Sequence, residues 1–178
     1  TTADDHSYKR SVWTDQNGIN VEPEYIYCAS QDADGGLWVG TDNGPFYIPS
    51  VSSFIASNSC ERVRFPLEDG TFLFDGKRIN SIVVDAEGRT WIATQTQGVY
   101  VIAADHSRVE MHLLPAADNP MPSACVLSLA VNESAHTYYI GTANGIVSFQ
   151  EKESDLNGSP YSSTDTFEEQ DYSGMMIA

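Results

Sequence analysis

The stretch INSIVVDAEGRTWIATQTQGVYVI, residues 79–102, contains every part of a three-stranded antiparallel meander. Ile79, Ile82, Val83 and Val84 form a β-branched first strand, residues 85–88 have turn composition, residues 90–94 form a second strand, and Gly98 opens a third that ends near Ile102. Asp85 offers a side chain that can hydrogen-bond the turn backbone, and Gly88 sits where a tight hairpin needs positive φ. Turn chemistry is therefore enough to explain the DxxG spacing. The unit recurs as IYCASQDADGGLWVGTDNGPFYI from Ile26 and as VLSLAVNESAHTYYIGTANGIVSF from Val126. A shorter echo at the N-terminus, Val12-Trp13-Thr14 followed by Gly18-Ile19, reads as a fourth copy of the strand that runs into threonine and then glycine.

Repetition of one meander decides the architecture, because a sheet that cannot bury its faces alone buries them against its copies. The expected class is all-β, with blades of a β-propeller: about three four-stranded antiparallel blades plus a remnant. Asp32, Gly35, Trp38, Thr41 and Gly44 align with Asp85, Gly88, Trp91, Thr94 and Gly98, and then with Tyr139, Thr142 and Gly145. Trp38, Trp91 and Tyr139 are expected to pack each blade against the next sheet. The equivalent threonines Thr14, Thr41, Thr94 and Thr142 stand 27, 53 and 48 residues apart. A four-stranded blade takes ~40–50 residues, so the later intervals hold a blade each and the first is too short. The third unit departs in detail, with Asn132 in place of Asp, a longer turn at residues 133–136, and Tyr139 in place of Trp.

DADGGLWVGTDNG and DAEGRTWIATQTQG resemble the two-component regulator propeller repeat: an Asp, a short Gly turn, a Leu-Trp-Ile-Gly-Thr strand and a Gly-led strand. The likeness spans residues 26–149. Families with this repeat include periplasmic sensor regions of hybrid two-component systems in Bacteroidetes, associated with glycan sensing, and the propeller component of type IX secretion. The order TFLFDGKRINSIVVDAEGRTWIATQTQGVYVI, LLPAADNPMPSACVLSLAVN and IGTANGIVSF is similar to the last blades of the secretion-associated propeller. That resemblance implies an extracytoplasmic, non-catalytic interaction scaffold at the periplasm or outer-membrane surface, docking to an envelope protein or a surface polysaccharide. A ligand-sensing region for glycans is the alternative.

The net charge of −16, with 9 Lys and Arg against 25 Asp and Glu, leaves no basic stripe for nucleic acid or an anionic membrane. Apolar runs such as residues 79–84 and 99–104 fall far below the ~20 residues of a membrane-spanning helix, so no membrane insertion is expected of this chain. Three cysteines leave at least one thiol without an intrachain partner. Cys28 and Cys125 read as small core residues at related positions, and Cys60, in SNSCERVRF, as the accessible one.

No site of catalysis stands out. His6, His106, His112 and His136 fall in the N-terminal tail, a turn, an outer strand and a hairpin turn, without acid–base partners at useful spacing, and no nucleophile-elbow, zincin or phosphate-loop motif occurs. No catalytic residue, cofactor or metal is expected. Asp32, Asp34 and Asp42 have calcium-compatible chemistry but lack the acidic spacing of a calcium loop, so turn formation is the preferred reading.

Two segments break the repeat. Residues 49–78 are expected to add outer strands near residues 62–65 and 71–74. Residues 113–124 read as an extended connector, with Pro115, Pro120 and Pro122 discouraging helix. The layout is thus a partial preceding blade at residues 1–22, three blades at 23–150, and an acidic last outer strand and linker at 151–178. The start at Thr1 suggests a processed or trimmed chain. Closed propellers need about four to eight blades, so a homodimer completing the ring, capping terminal strands, or further blades of a longer protein are each expected ways to close it.

Overall fold

The computed structural model describes residues 10–116 and 121–150. Four antiparallel sheets follow one another along the chain. A hairpin of β1 (Trp13–Thr14) and β2 (Asn20–Val21) comes first. The first full sheet is the meander β3 (Ile26–Gln31), β4 (Leu37–Thr41), β5 (Gly44–Ile48) and β6 (Glu61–Arg62). The second is β7 (Ile79–Val84), β8 (Thr90–Thr94), β9 (Val99–Ile102) and β10 (Val109–Leu113). The third is β11 (Val126–Asn132), β12 (Thr137–Thr142) and β13 (Gly145–Gln150), three-stranded among the described residues. The fold is that of partial propeller blades. The expected last outer strand at residues 151–178 lies outside the described residues.

Strand periodicity explains the stacking. Along β8, Trp91 and Ala93 point to one face, and Thr90, Ile92 and Thr94 to the other; all five are buried, as a strand between two neighbouring sheets requires. The first seam packs Trp38 of β4 with Ile79, Ile82, Ile92, Tyr100 and Ile102 of the second sheet. The second packs Trp91, Ala93, Val99 and Val101 with Val126, Tyr138, Ile140, Val147 and Phe149 of the third. The first strands of the sheets stand side by side, with β7 between β3 and β11.

Tyr139 sits in the register of Trp38 and Trp91, opposite Ala130 and Ser148, but no further sheet covers it among the described residues and it is 43% exposed. The ring that enters the second seam is its neighbour Tyr138, on the opposite face of β12, stacked on Trp91 with centroids 3.8 Å apart.

The N-terminal echo is a different turn from the one its spacing suggests. Asp15, not Thr14, closes the β1–β2 hairpin, its Oδ1 accepting from the Asn17 and Ile19 amides at 2.9 Å. A carboxylate that reaches two backbone donors outcompetes a single hydroxyl, so the hairpin copies Asp85 to Gly88 rather than Thr94 to Gly98. Thr14 bonds the backbone of Asn58 and Cys60, which lays the hairpin beside the segment leading to β6. Trp13 then packs on Phe46 and Phe54 of the first sheet's region, at 5.3 and 5.5 Å between centroids.

Residues 49–78 also differ from expectation. The outer strand is only the two residues of β6; Phe65 and Leu73 are joined by a backbone hydrogen bond, with a lone bridge between Pro66 and Phe72, so no strand forms at 71–74. Instead the segment begins with a helix, α1 (Val51–Ser57), capped by Ser50 Oγ on the Ser53 amide and ended by Asn58 at φ 58. A cleft of about 420 Å³ runs between this helix and the first sheet, lined by Trp13, Ala29, Leu37, Val39, Phe54 and Ile55.

Candidate functional site

The repeated residues have a mechanical role. Thr41, Thr94 and Thr142 are buried; each hydroxyl donates to the carbonyl of the following glycine, Gly44, Gly98 or Gly145, at 2.8–2.9 Å. Each also accepts a turn amide, from Asn43, Gln97 and Asn144 respectively. The glycines then reach the next sheet: Gly44 donates to the Lys77 carbonyl at 2.8 Å and Gly98 to the Ala124 carbonyl at 2.9 Å. Gly145 has no next sheet beside it among the described residues.

Asp32 and Asp85 shape the first turn of their blades. Asp32 Oδ1 accepts from the Asp34 and Gly36 amides, and its Oδ2 accepts from Tyr47 Oη at 2.7 Å. Asp85 Oδ1 accepts from the Arg89 amide, while Gly35 and Gly88 hold φ of +86 and +78. Asp85 Oδ2 is the centre of a buried cluster: Arg89 is paired with it at 2.8 Å, Trp91 Nε1 donates at 2.9 Å and Tyr138 Oη at 3.0 Å. Because Tyr138 comes from the third sheet, the cluster locks the second seam. Asn132 replaces the aspartate in the third unit, and among the described residues its side chain accepts only from Ser134 Oγ.

Asp42 lies apart from Asp32 and Asp34, with Oδ1 on the Tyr25 amide at 3.0 Å. Among the described residues no three His, Cys, Asp or Glu side chains are gathered as a metal site would need. Cys60 is buried, contrary to its expected accessibility, because the β1–β2 hairpin covers it; burial pushes its thiol up to about 11. Cys28 is half-buried, likewise pushed up to about 11 by burial, and Cys125 is half-buried. The two cysteines are not equivalent, since Cys28 pairs with Gly40 inside β3 while Cys125 precedes β11. His106, from the β9–β10 turn, lies edge-on against Trp38 and Tyr47, each at 4.6 Å. His112 stacks on Tyr100.

A cluster that the repeat pattern did not announce lies where the blades begin. Each first strand is bulged after its first residue, between Ile26 and Cys28, Ile79 and Ser81, and Val126 and Ser128. The extra residues are Tyr27, Asn80 and Leu127, re-aimed out of the alternation that feeds the seams. Tyr25 and Arg78, each one residue before its strand, are held through their carbonyls by the amides of Asp42 and Gln95. The Arg78 guanidinium lies over the Tyr27 ring at 3.9 Å, its Nε donates to Asn80 Oδ1 at 2.8 Å, and Asn80 Nδ2 donates to the Val126 carbonyl at 2.7 Å. Tyr25 stacks beside Tyr27 with centroids 6.2 Å apart, and Glu24 at its hydroxyl raises the phenol's pKa. Side chains from two successive blades and a backbone carbonyl of the third thus meet in one polar, aromatic ladder. Its sequence signal was the Tyr25, Arg78 and Cys125 alignment, which the unit boundaries at Ile26, Ile79 and Val126 cut off.

The family description "two component regulator propeller" matches residues 20–43 and 73–96. Among solved structures the chain is similar to PorZ, described as an essential bacterial surface component of the type-IX secretion system of Porphyromonas gingivalis, with 29% identity over 89% of this chain and a TM-score of 0.74. It shares the fold of the extracellular domain of a putative hybrid two-component system from B. thetaiotaomicron, at 21% identity over 75% of this chain and a TM-score of 0.56. It also shares the fold of the Cps50 (Swd1) β-propeller domain of Myceliophteria thermophila, at 16% identity over 91% of this chain, 52% of that chain and a TM-score of 0.57. The chain spans 22% and 17% of the length of the first two. No curated protein matches. The units built on Asp32 and Asp85 match the two-component regulator propeller description, and the chain is a β-propeller module similar to part of PorZ.

Proposed function

We propose that the chain is a non-catalytic, extracytoplasmic interaction module that serves at the bacterial surface, docking an envelope protein or a surface polysaccharide. The observation that carries this reading is the extent of its likeness to a surface component of type-IX secretion, over 89% of the chain. The repeat residues support it, because their polar groups are spent on turns and seams: Asp32, Asp85 and the threonines face backbone and neighbouring side chains rather than a cleft. A second reading, a ligand-sensing region of a hybrid two-component receptor, is favoured by the ladder of Tyr25, Tyr27 and Arg78, in which Tyr25 and Arg78 are exposed. The two readings separate in the native host. If the module serves secretion, protease added to intact cells degrades the protein that carries it, and deleting its gene traps secreted cargo in the cell envelope. Normal secretion with a lost transcriptional response to a glycan would replace the first reading with the second.

A further inference from the structure

Asn17, Asn43, Asn144 and Asn157 are each followed by glycine. An Asn-Gly step is prone to deamidation, because glycine has no Cβ to shield its amide nitrogen from the asparagine side chain. The fold decides whether such a step reacts, since it can hold both that nitrogen and the side-chain amide in place. Asn157 lies outside the described residues. After Asn17, the Gly18 amide donates to the Asp15 carbonyl at 2.9 Å inside its own turn.

Asn43 and Asn144 form a matched pair. Both lie in the turn between the second and third strands of a blade, and their backbone amides donate to the preceding threonine hydroxyls, Thr41 and Thr142, at 3.0 and 3.2 Å. The residue before each is tied to the chain ahead of its blade, Asp42 to the Tyr25 carbonyl and Ala143 to the Cys125 carbonyl. The groups that would react are held differently. Asn43 is half-buried, and its Oδ1 accepts from the Gly76 amide at 2.8 Å and from Arg62 Nη2 at 3.1 Å. The next nitrogen, on buried Gly44, donates across the first seam to the Lys77 carbonyl at 2.8 Å. Asn144 is exposed, and its side chain has no hydrogen-bond partner among the described residues. The Gly145 amide stays within its own hairpin, opposite Thr142, and crosses to no further sheet among the described residues.

We infer that Asn144 is a site of spontaneous deamidation, while stacking of the first two blades protects Asn43. Solvent base takes the proton of the Gly145 amide, and the nitrogen closes on Asn144 Cγ to form a C–N bond. The Cγ–Nδ2 bond breaks, and the departing nitrogen takes a proton from water and leaves as ammonia. Water then opens the cyclic imide at either carbonyl, giving aspartate or isoaspartate. Water and base are the only co-reactants. Either product adds a negative charge to an exposed turn, and isoaspartate lengthens the backbone by one carbon just before Gly145. The equivalent glycines Gly44 and Gly98 carry the amides that cross to the next sheet. Isoaspartate at 144 would therefore shift the point at which a further sheet could join this face, and a sheet already joined there would hold the amide and slow the reaction.

The test is incubation of the 178-residue chain in mildly alkaline buffer, folded and in urea above its unfolding transition, with each Asn-Gly peptide quantified by mass spectrometry over time. In urea the Asn43 and Asn144 peptides should react within about twofold of each other. In the folded chain Asn144 should react at least tenfold faster than Asn43, whose site must open locally before it can react. Asn144→Gln, whose longer side chain must close a larger ring, should abolish the product at that position and leave the Asn43 rate unchanged; methyl proton spectra confirm that the variant is folded. Equal rates at the two sites in the folded chain, reaction of Asn144 only in urea, or a tenfold difference that persists in urea would each overturn the assignment.

Discussion

Gly98 and Gly70 share a left-handed backbone, at φ +69 and +79, but not the same surroundings. A Cβ on Gly70 would meet open space, whereas one on Gly98 would collide with the Leu113 carbonyl oxygen. Gly70→Ala should therefore lose only the left-handed backbone cost, about 1 kcal/mol. Gly98→Ala should lose roughly 3 kcal/mol or more, because strain and overpacking add. Urea denaturation of both variants checks this, and equal losses would show that the close approach at Gly98 is unimportant. Gly98 was legible in sequence because a glycine shortly after a strand-ending threonine has one simple explanation. Cys60 was not legible, since its cover is supplied by Thr14, 46 positions away.

At the scale of elements, the strands of the three units followed from β-branched runs and the first turns of two of them from DxxG spacing, while their faces did not. Sequence spacing aligned Tyr139 with Trp38 and Trp91, and the alignment holds in register; burial of a strand face, however, depends on the presence of a neighbouring sheet. Trp91→Ala should thus cost about 3–5 kcal/mol, as truncation of a core aromatic does. Tyr139→Ala should stay within about 1 kcal/mol, as surface substitutions do. Thermal melts of the two variants distinguish them, and a large loss at Tyr139 would mean that something covers β12. Helix α1 escaped prediction because it is two turns long, has no buried residue of its own, and borrows its stability from Phe54 against Trp13.

The turn carrying His106 makes a second element-scale prediction. Burial against Trp38 and Tyr47 lowers this imidazole's pKa below 6.5, outweighing the opposite pull of Glu61, Asp32 and Asp105. The folded state therefore prefers the neutral ring. Its contribution is fully present above the unfolded value of 6.5 and is lost as pH falls from there through the folded value. His106→Asn keeps a residue tolerant of the left-handed backbone at this position, φ +58. The variant should be less stable at pH 7 yet lose less stability between pH 7 and 5 than the parent chain. A parallel loss in both proteins would remove His106 from the account.

At the scale of the molecule, three sheets are stacked through two seams, and each seam combines an indole, a run of branched aliphatics and a glycine amide that crosses to the next blade. The blade-start ladder depends on the same stacking, since Arg78, Tyr27 and the Val126 carbonyl belong to different sheets. It was invisible to motif search because no short stretch contains it. Three bulges at equivalent places bring Tyr27, Asn80 and Leu127 to one side, and a bulge leaves no signature in a β-branched run. Residue-resolved amide hydrogen exchange tests the stacking most directly. The Gly44 and Gly98 amides, bonded to Lys77 and Ala124 across the seams, should exchange as slowly as the interior amides of β8. Exchange as fast as that of the Gly70 amide in its exposed turn would contradict blade-to-blade stacking.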